Sequence, residues 1–392
     1  MCPIWYLKST IDMKFISFIL ISILSCLGCV NEYSKQSEVL IIDIMESDSL
    51  FPLGNFVETT KIIHLETPDS NFISSFEEAI ITKNNIFVLD SDLMAIFMYD
   101  TLGCFIKKLH KMGRAGDEYL YIEDWTFDGE KIYILEGEKI QVYTSQLDYH
   151  STINITPIIN EDSTHFWGAD RVVAYNNSLL LFDYNNKKVH SIFYNVDKGD
   201  YESKMILEDE RKCPLNVGIS PSERVFYEYN DNMIIIPSGS DCIYMLDEEF
   251  NYRKVAVIDY EDKEKRYSIL ATDAAREYDI RVQNAPTRIG ESFCIGDAIF
   301  FDYPSNKGGG FFKIDLENNT TDDFLMYQMG KMDNYPYWDS GDGSTLYGFY
   351  ETSLEEQQYG EKPKVLNGVE LTNVHNCKDD ILQYLIIYNL CQ

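Results

Sequence analysis

Basic residues are scarce in this 392-residue chain: 33 Lys and Arg stand against 64 Asp and Glu, a formal charge of −31. No Lys/Arg-rich run occurs, which argues against nucleic-acid binding through phosphates, since that needs a basic face. No G-x-S-x-G elbow, P-loop or G-x-G-x-x-G occurs either. The six histidines (His64, His110, His150, His165, His190, His375) are isolated, with no H-E-x-x-H, H-x-H or Cys/His zinc spacing. No catalytic residue and no metal ligand can therefore be named. What is present is an apolar fraction of 45%, too high for a disordered chain, in a length ample for a real core.

Residues 15–28 form an apolar run without a charge, preceded by Met13-Lys14. About 14 apolar residues is short for a membrane-spanning helix, which needs roughly 20, and suits the apolar region of a secretory signal. The run ends Ser25-Cys26-Leu27-Gly28-Cys29, with a small residue before each cysteine. That pattern resembles a bacterial lipobox, in which the signal is cut before a cysteine that carries diacylglycerol. Counted from Met13, the expected true start, Cys29 leaves a 16-residue signal and Cys26 only 13, so Cys29 is the expected lipid site and Cys26 the alternative. A plain secretory signal cut near Gly28 is the competing reading. The expected organisation is a signal over 1–28, a lipid-attached tether over 29–55 and a folded unit over 56–392.

Nine cysteines occur, and the one Cys-x-x-Cys, Cys26 to Cys29, lies inside the signal. Cys104, Cys242 and Cys294 lie within or beside apolar runs and read as buried structural thiols. One disulfide remains open in an exported protein.

From about residue 60 one theme repeats: an apolar, β-branched run ending in an acid, a short turn, a second run and a polar loop. The leading runs are Asn85–Asp90, Lys131–Glu136, Ser178–Asp183, Asn232–Pro237, Asp297–Asp302 and Ser344–Tyr350. Asp90, Glu136 and Asp183 are spaced 46 and 47 apart. Partner runs such as Ala95–Asp100 and Cys242–Asp247 follow, across turns such as Asp128-Gly129 and Asn176-Asn177. A period of about 45 residues with four strands per unit is a propeller signature. The sequence thus predicts an all-β, six-bladed β-propeller of four-stranded antiparallel blades. Its ring closes when the first run, Glu58–Leu65, adds as the outer strand to the last, Asp380–Leu390. A two-domain β-sandwich would not explain one period kept throughout. Residues 261–280 lack strand alternation and predict a helical insertion.

These residues also resemble the bacterial six-bladed β-propeller lipoproteins, an NHL-like propeller family. The resemblance rests on Ile86–Asp90, on Tyr99–Leu109, on the loop Gly113–Tyr119 and on Glu123–Asp128. The closing strand Asp379–Tyr388 joins them, while the middle of the chain agrees by period alone. Ala115, Gly116 and Asp117 depart from the family's Gly-Pro-Gly, whereas Gly113, Glu118 and Tyr119 hold. The loop is expected to set the crossover between blades, with Glu118 accepting backbone N–H groups. The resemblance implies a fold and an envelope location, outer membrane included, and carries no catalytic residue.

Tyr335, Tyr337 and Trp338 lie beside Asp333 and Asp339 and suit either sugar stacking or packing between blades, the latter favoured. Asp339–Gly343 reads as a hairpin turn rather than a calcium loop, because the twelfth position is Tyr350 and not Glu. Trp125 reads as core. No cofactor is expected; a calcium or other divalent ion is left open, since a propeller can gather ligands from several blades. The function expected is a monomeric, non-enzymatic binding or scaffold ring for an unidentified glycan, peptide or protein partner, touching the membrane through its lipid only. The alternative is a metal-dependent propeller lyase or lactonase with a site at the channel mouth.

Overall fold

In the computed structural model the described residues are 40–43, 57–68, 71–157, 168–183, 190–205, 226–229, 232–236, 242–259, 292–295, 298–303, 310–325, 345–353 and 381–390. The chain divides into residues 1–39 and 40–392, and all described residues belong to the second unit.

The described strands form six sheets. Of these strands, β1 (Leu40–Asp43) and β2 (Val57–Leu65) precede the first complete blade in sequence. Blade 1 is β3 (Phe76–Ile81), β4 (Asn85–Asp90), β5 (Ala95–Asp100) and β6 (Phe105–Leu109). Blade 2 is β7 (Asp124–Phe127), β8 (Lys131–Glu136), β9 (Lys139–Thr144) and β10 (Tyr149–Asn154). Blade 3 is β11 (Arg171–Tyr175), β12 (Ser178–Asp183), β13 (His190–Asn195) and β14 (Asp200–Met205). Blade 4 is β15 (Phe226–Tyr229), β16 (Asn232–Ile235), β17 (Cys242–Leu246) and β18 (Tyr252–Asp259), with β1 added outside β18. Blade 5 is β19 (Ser292–Ile295), β20 (Ala298–Tyr303), β21 (Gly310–Asp315) and β22 (Thr320–Leu325). In blade 6, β23 (Thr345–Ser353) and β24 (Ile381–Leu390) are joined by β2. This is the six-bladed β-propeller that the period predicts.

Five of the six leading runs are the second strands of their blades; the sixth, Ser344–Tyr350, falls on the first strand of blade 6. The ring closes as the terminal runs imply: β2 pairs antiparallel with β24, Ile62 opposite Ile386 and His64 opposite Tyr384. Each blade alone would expose two apolar faces, and the core sits where neighbours cover them. Phe87, Leu89 and Met98 of blade 1 meet Trp125, Ile132 and Ile134 of blade 2. Tyr133 and Leu135 of blade 2 meet Leu179 and Leu181 of blade 3. Ile86, Val88 and Phe97 meet Tyr347 and Leu385 of blade 6, which completes the circle. Full burial of each such side chain is worth about 1.5–3 kcal/mol, so the seams dominate stability.

Cys242 is a free, buried thiol, whereas Cys104 is free and exposed, not buried as its apolar surroundings predicted. Cys104 follows the β5–β6 turn, where the Asp100 carboxylate accepts the N–H groups of Leu102 (2.8 Å) and Cys104 (2.9 Å). That capped turn holds the cysteine at the surface. Gly103 in the same turn has φ +89° and lies against the His64 carbonyl, where a Cβ would collide. The turn of blade 1 thereby packs on the clasp strand. The Cys294 side chain, residues 1–28 and 261–280 lie outside the described residues. Residues 40–43, inside the stretch read as tether, are strand β1.

Candidate binding face at one end of the channel

The first strands of successive blades lie side by side, β7 against β11 and β15 against β19, so they line the channel. The register makes Glu78, Asp124 and Arg171 equivalent: they stand opposite Leu89, Leu135 and Phe182, each one residue before the acid that ends the second strand. All three sit at the same end of their strands, and Glu77, Glu123 and Asp170 adjoin them in sequence. The Arg171 guanidinium acts electrostatically on three of these carboxyl groups, those of Glu77, Glu123 and Asp124. Arg171 is buried, and its Nη1 donates to the Asp170 carbonyl at 2.9 Å.

Two of these acids stitch blades together. Glu78 Oε2 accepts from the Trp125 indole N–H at 2.6 Å, blade 1 to blade 2. Asp124 Oδ2 accepts from the Val172 N–H at 2.7 Å, blade 2 to blade 3. Burial pushes the Asp124 carboxyl up to about 7; Arg171 opposes the rise and Glu78 adds to it. Burial also raises Glu77, with Ser91 as the opposing hydrogen-bond partner, and raises Glu123, where Asp170 adds and Arg171 opposes. A carboxyl that titrates at about 7, as Asp124 does, can bind a cationic or hydroxylated group, or pass a proton. Among the described residues no group of three His, Cys, Asp or Glu is arranged to hold a metal ion.

The loop Gly113–Tyr119 joins blade 1 to blade 2. Glu118 Oε2 accepts from the Ala115 N–H at 2.7 Å, and a Cβ on Gly113 would collide with that carboxylate. Tyr119 is fully buried, its phenol donating to the Met94 carbonyl at 2.8 Å. Blade 2 holds the loop from the other side: Gln141 Nε2 donates to the Glu118 carbonyl at 2.7 Å, and Tyr143 Oη to the Asp117 carbonyl at 2.9 Å. The Lys111–Asp117 ion pair closes it. This geometry is that of a crossover locked to both blades.

At the other end of the first strands, a cleft of about 530 Å³ opens between blades 2 and 3, lined by Phe127, Asp128, Glu130, Tyr175, Asn177 and Asp197 among others. Asp128 is engaged in its own turn, accepting from the N–H groups of Glu130 and Lys131 and from the Tyr133 hydroxyl (2.6 Å).

Trp125 is buried, as read. Cys26, Cys29, Tyr335, Tyr337, Trp338 and the Asp339–Gly343 turn lie outside the described residues. Sequence reasoning did not single out Glu78, Asp124 and Arg171. The signal was there: they are spaced 46 and 47 apart, the same steps that separate Asp90, Glu136 and Asp183.

No curated protein matches the chain. Its fold is similar to the crystal structure of a putative exported protein from Bacteroides fragilis, at 13% identity and a TM-score of 0.59, covering 90% of this chain and 99% of that one. A member of the duf4221 family from Bacteroides vulgatus matches at 12% identity and a TM-score of 0.44, over 86% and 99% of the two chains. A catalytically inactive virginiamycin B lyase from Staphylococcus aureus, solved with quinupristin, matches at 11% and 0.42, over 79% and 80%. The family model described as "Domain of unknown function (DUF4934)" matches residues 39–378, most of the chain, and the protein belongs to that family.

Proposed function

We propose that this chain is an envelope lipoprotein whose propeller is a non-enzymatic binding or scaffold module. It takes a glycan, peptide or partner protein at the charged end of the channel. The observation that carries this reading is the convergence of register-equivalent Glu78, Asp124 and Arg171 from three blades onto one end of a rigid ring. Export is supported by the signal-like run 15–28 and by the fold likeness to a protein described as exported. Lipid attachment at Cys29, with Cys26 as the alternative, rests on the lipobox-like residues.

A second reading is a metal-dependent lyase or lactonase at the same mouth. Its support is the Asp124 carboxyl, which titrates at about 7 beside Arg171 and so has the proton affinity of a general acid or base. Immobilised glycan and peptide libraries, probed with the full chain and with Asp124→Asn and Arg171→Gln, separate the two. A ligand retained by the unaltered chain and lost by variants that keep its circular-dichroism spectrum supports binding. Turnover that requires an added divalent metal favours the lyase instead.

A further inference from the structure

The outermost strands of most blades carry polar or charged residues along their length. Strand β6 reads Phe-Ile-Lys-Lys-Leu, β10 Tyr-His-Ser-Thr-Ile-Asn, β14 Asp-Tyr-Glu-Ser-Lys-Met and β22 Thr-Thr-Asp-Asp-Phe-Leu. Charge on an edge discourages pairing with another chain. Strand β18 differs, because it has two unlike halves. Tyr252-Arg253-Lys254 is charged, while Val255-Ala256-Val257-Ile258 is an uncharged, mostly β-branched run, followed by Asp259 at the end of the strand. The β17–β18 ladder shifts register between them, Tyr244 facing Lys254 and Ile243 facing Ala256, so Val255 is bulged.

Strand β1 covers the second half and not the first: Leu40 faces Ala256, Ile41 Val257, Ile42 Ile258 and Asp43 Asp259. It is the one parallel ladder among the described strands, and β1 comes from more than two hundred residues earlier in the chain instead of by a hairpin. Leu40 packs on the apolar cluster shared by blades 4, 5 and 6. The next strand, β2, is secured separately by eight register pairs in blade 6, against four for β1. Strand β1 can therefore leave blade 4 without opening the clasp.

We infer that the outer edge of blade 4 is a strand-acceptor site for an extended, largely apolar peptide running parallel to β18. Leu40–Asp43 is the copy of that ligand which the chain itself carries. Recognition is by main-chain hydrogen bonds along Ala256–Asp259, and the charged half with its bulge sets where the guest strand begins. The site is independent of the channel mouth and of any ligand bound there.

The test uses the full chain and a labelled peptide of sequence Val-Leu-Ile-Ile-Asp-Ile, residues 39–44. Ile41→Pro with Ile42→Pro removes two N–H donors from β1 and empties the edge. That variant is expected to bind the peptide at least tenfold more tightly than the unaltered chain, where the site is filled. Equal binding to both, or none to the variant, overturns the inference. Should the proline variant fail to fold, Leu40→Cys with Ala256→Cys serves. Oxidation is expected to link the two within one chain in higher yield than Leu40→Cys with Arg253→Cys, and equal yields overturn the inference.

Discussion

Gln383 grips Ile73 with both ends of its amide: Oε1 accepts from the Ile73 N–H at 2.9 Å and Nε2 donates to the Ile73 carbonyl at 2.6 Å. The two residues are 310 positions apart, and Gln383 is fully buried in the closing strand. This side chain does for the loop before blade 1 what the β2–β24 ladder does for the strands. It ties the end of the chain to its beginning.

Gln383→Leu deletes both bonds to Ile73 together with the bond from Gln383 Nε2 to Glu351 Oε2 at 2.8 Å, leaving two backbone groups of Ile73 unpaired. The expected loss is about 3 kcal/mol of unfolding free energy, since each buried unsatisfied group costs about 1–3 kcal/mol. Asn389, whose Nδ2 donates to Thr59 Oγ1 at 2.8 Å in an exposed position, is the comparison. Asn389→Ala is expected to cost less than about 1 kcal/mol in the same urea titration. Equal losses would show that the buried clamp has no special weight.

Gly113→Ala drives a methyl group into the Glu118 carboxylate and displaces it from the Ala115 N–H. Destabilisation of about 1–3 kcal/mol is expected. Adding Glu118→Ala removes the obstacle, so the double variant should be more stable than the sum of the two single losses predicts. Strict additivity in thermal melts would mean that the two residues do not interfere.

The Asp124 carboxyl is held at about 7 in the folded ring, above the ordinary 3.8. A raised carboxyl favours folding when protonated. Its contribution is complete below the unfolded value near 3.8 and disappears as pH climbs through about 7. Asp124→Asn removes that contribution's pH dependence and keeps an acceptor for the Val172 N–H. The difference in stability between variant and unaltered chain should therefore grow in the variant's favour from pH 4 to pH 8, by on the order of 3 kcal/mol. A flat difference across that range would contradict the buried, shifted carboxyl.

Cys104 is exposed, and slight desolvation together with the carboxylates of Glu66 and Asp100 raises its thiol pKa. Iodoacetamide followed by peptide mapping should modify Cys104 in the native protein, more slowly at pH 7 than an unhindered thiol. Cys242, buried between blades 3 and 4, should react only after unfolding. Native labelling of Cys242 ahead of Cys104 would reverse their placement.

Cys29→Ala should abolish incorporation of a labelled fatty acid in a bacterial host, and Cys26→Ala should leave it intact. The opposite pattern would move the lipid site to Cys26. No incorporation even in the unaltered chain would leave the plain secretory signal.

The strand repeat was legible without coordinates because strand formation is local: β-branched and aromatic runs, ended by acids and Asx or Gly turns, carry their own conformational preference. The same regularity exposed the ring, since Asp90, Glu136 and Asp183 mark one position in three successive units. Even the clasp followed, from apolar runs at both ends with no other partner. What composition and period could not decide was which of many acids meet. Glu78, Asp124 and Arg171 acquire their joint meaning only when register sets each opposite its second strand and curvature brings three first strands together. Likewise Leu40–Asp43 reads as a short apolar stretch in a tether until the chain folds back more than two hundred residues in sequence to lie along β18. Local patterns determined the elements; long-range closure, which no residue expresses alone, decided where charge is buried and which edge is covered.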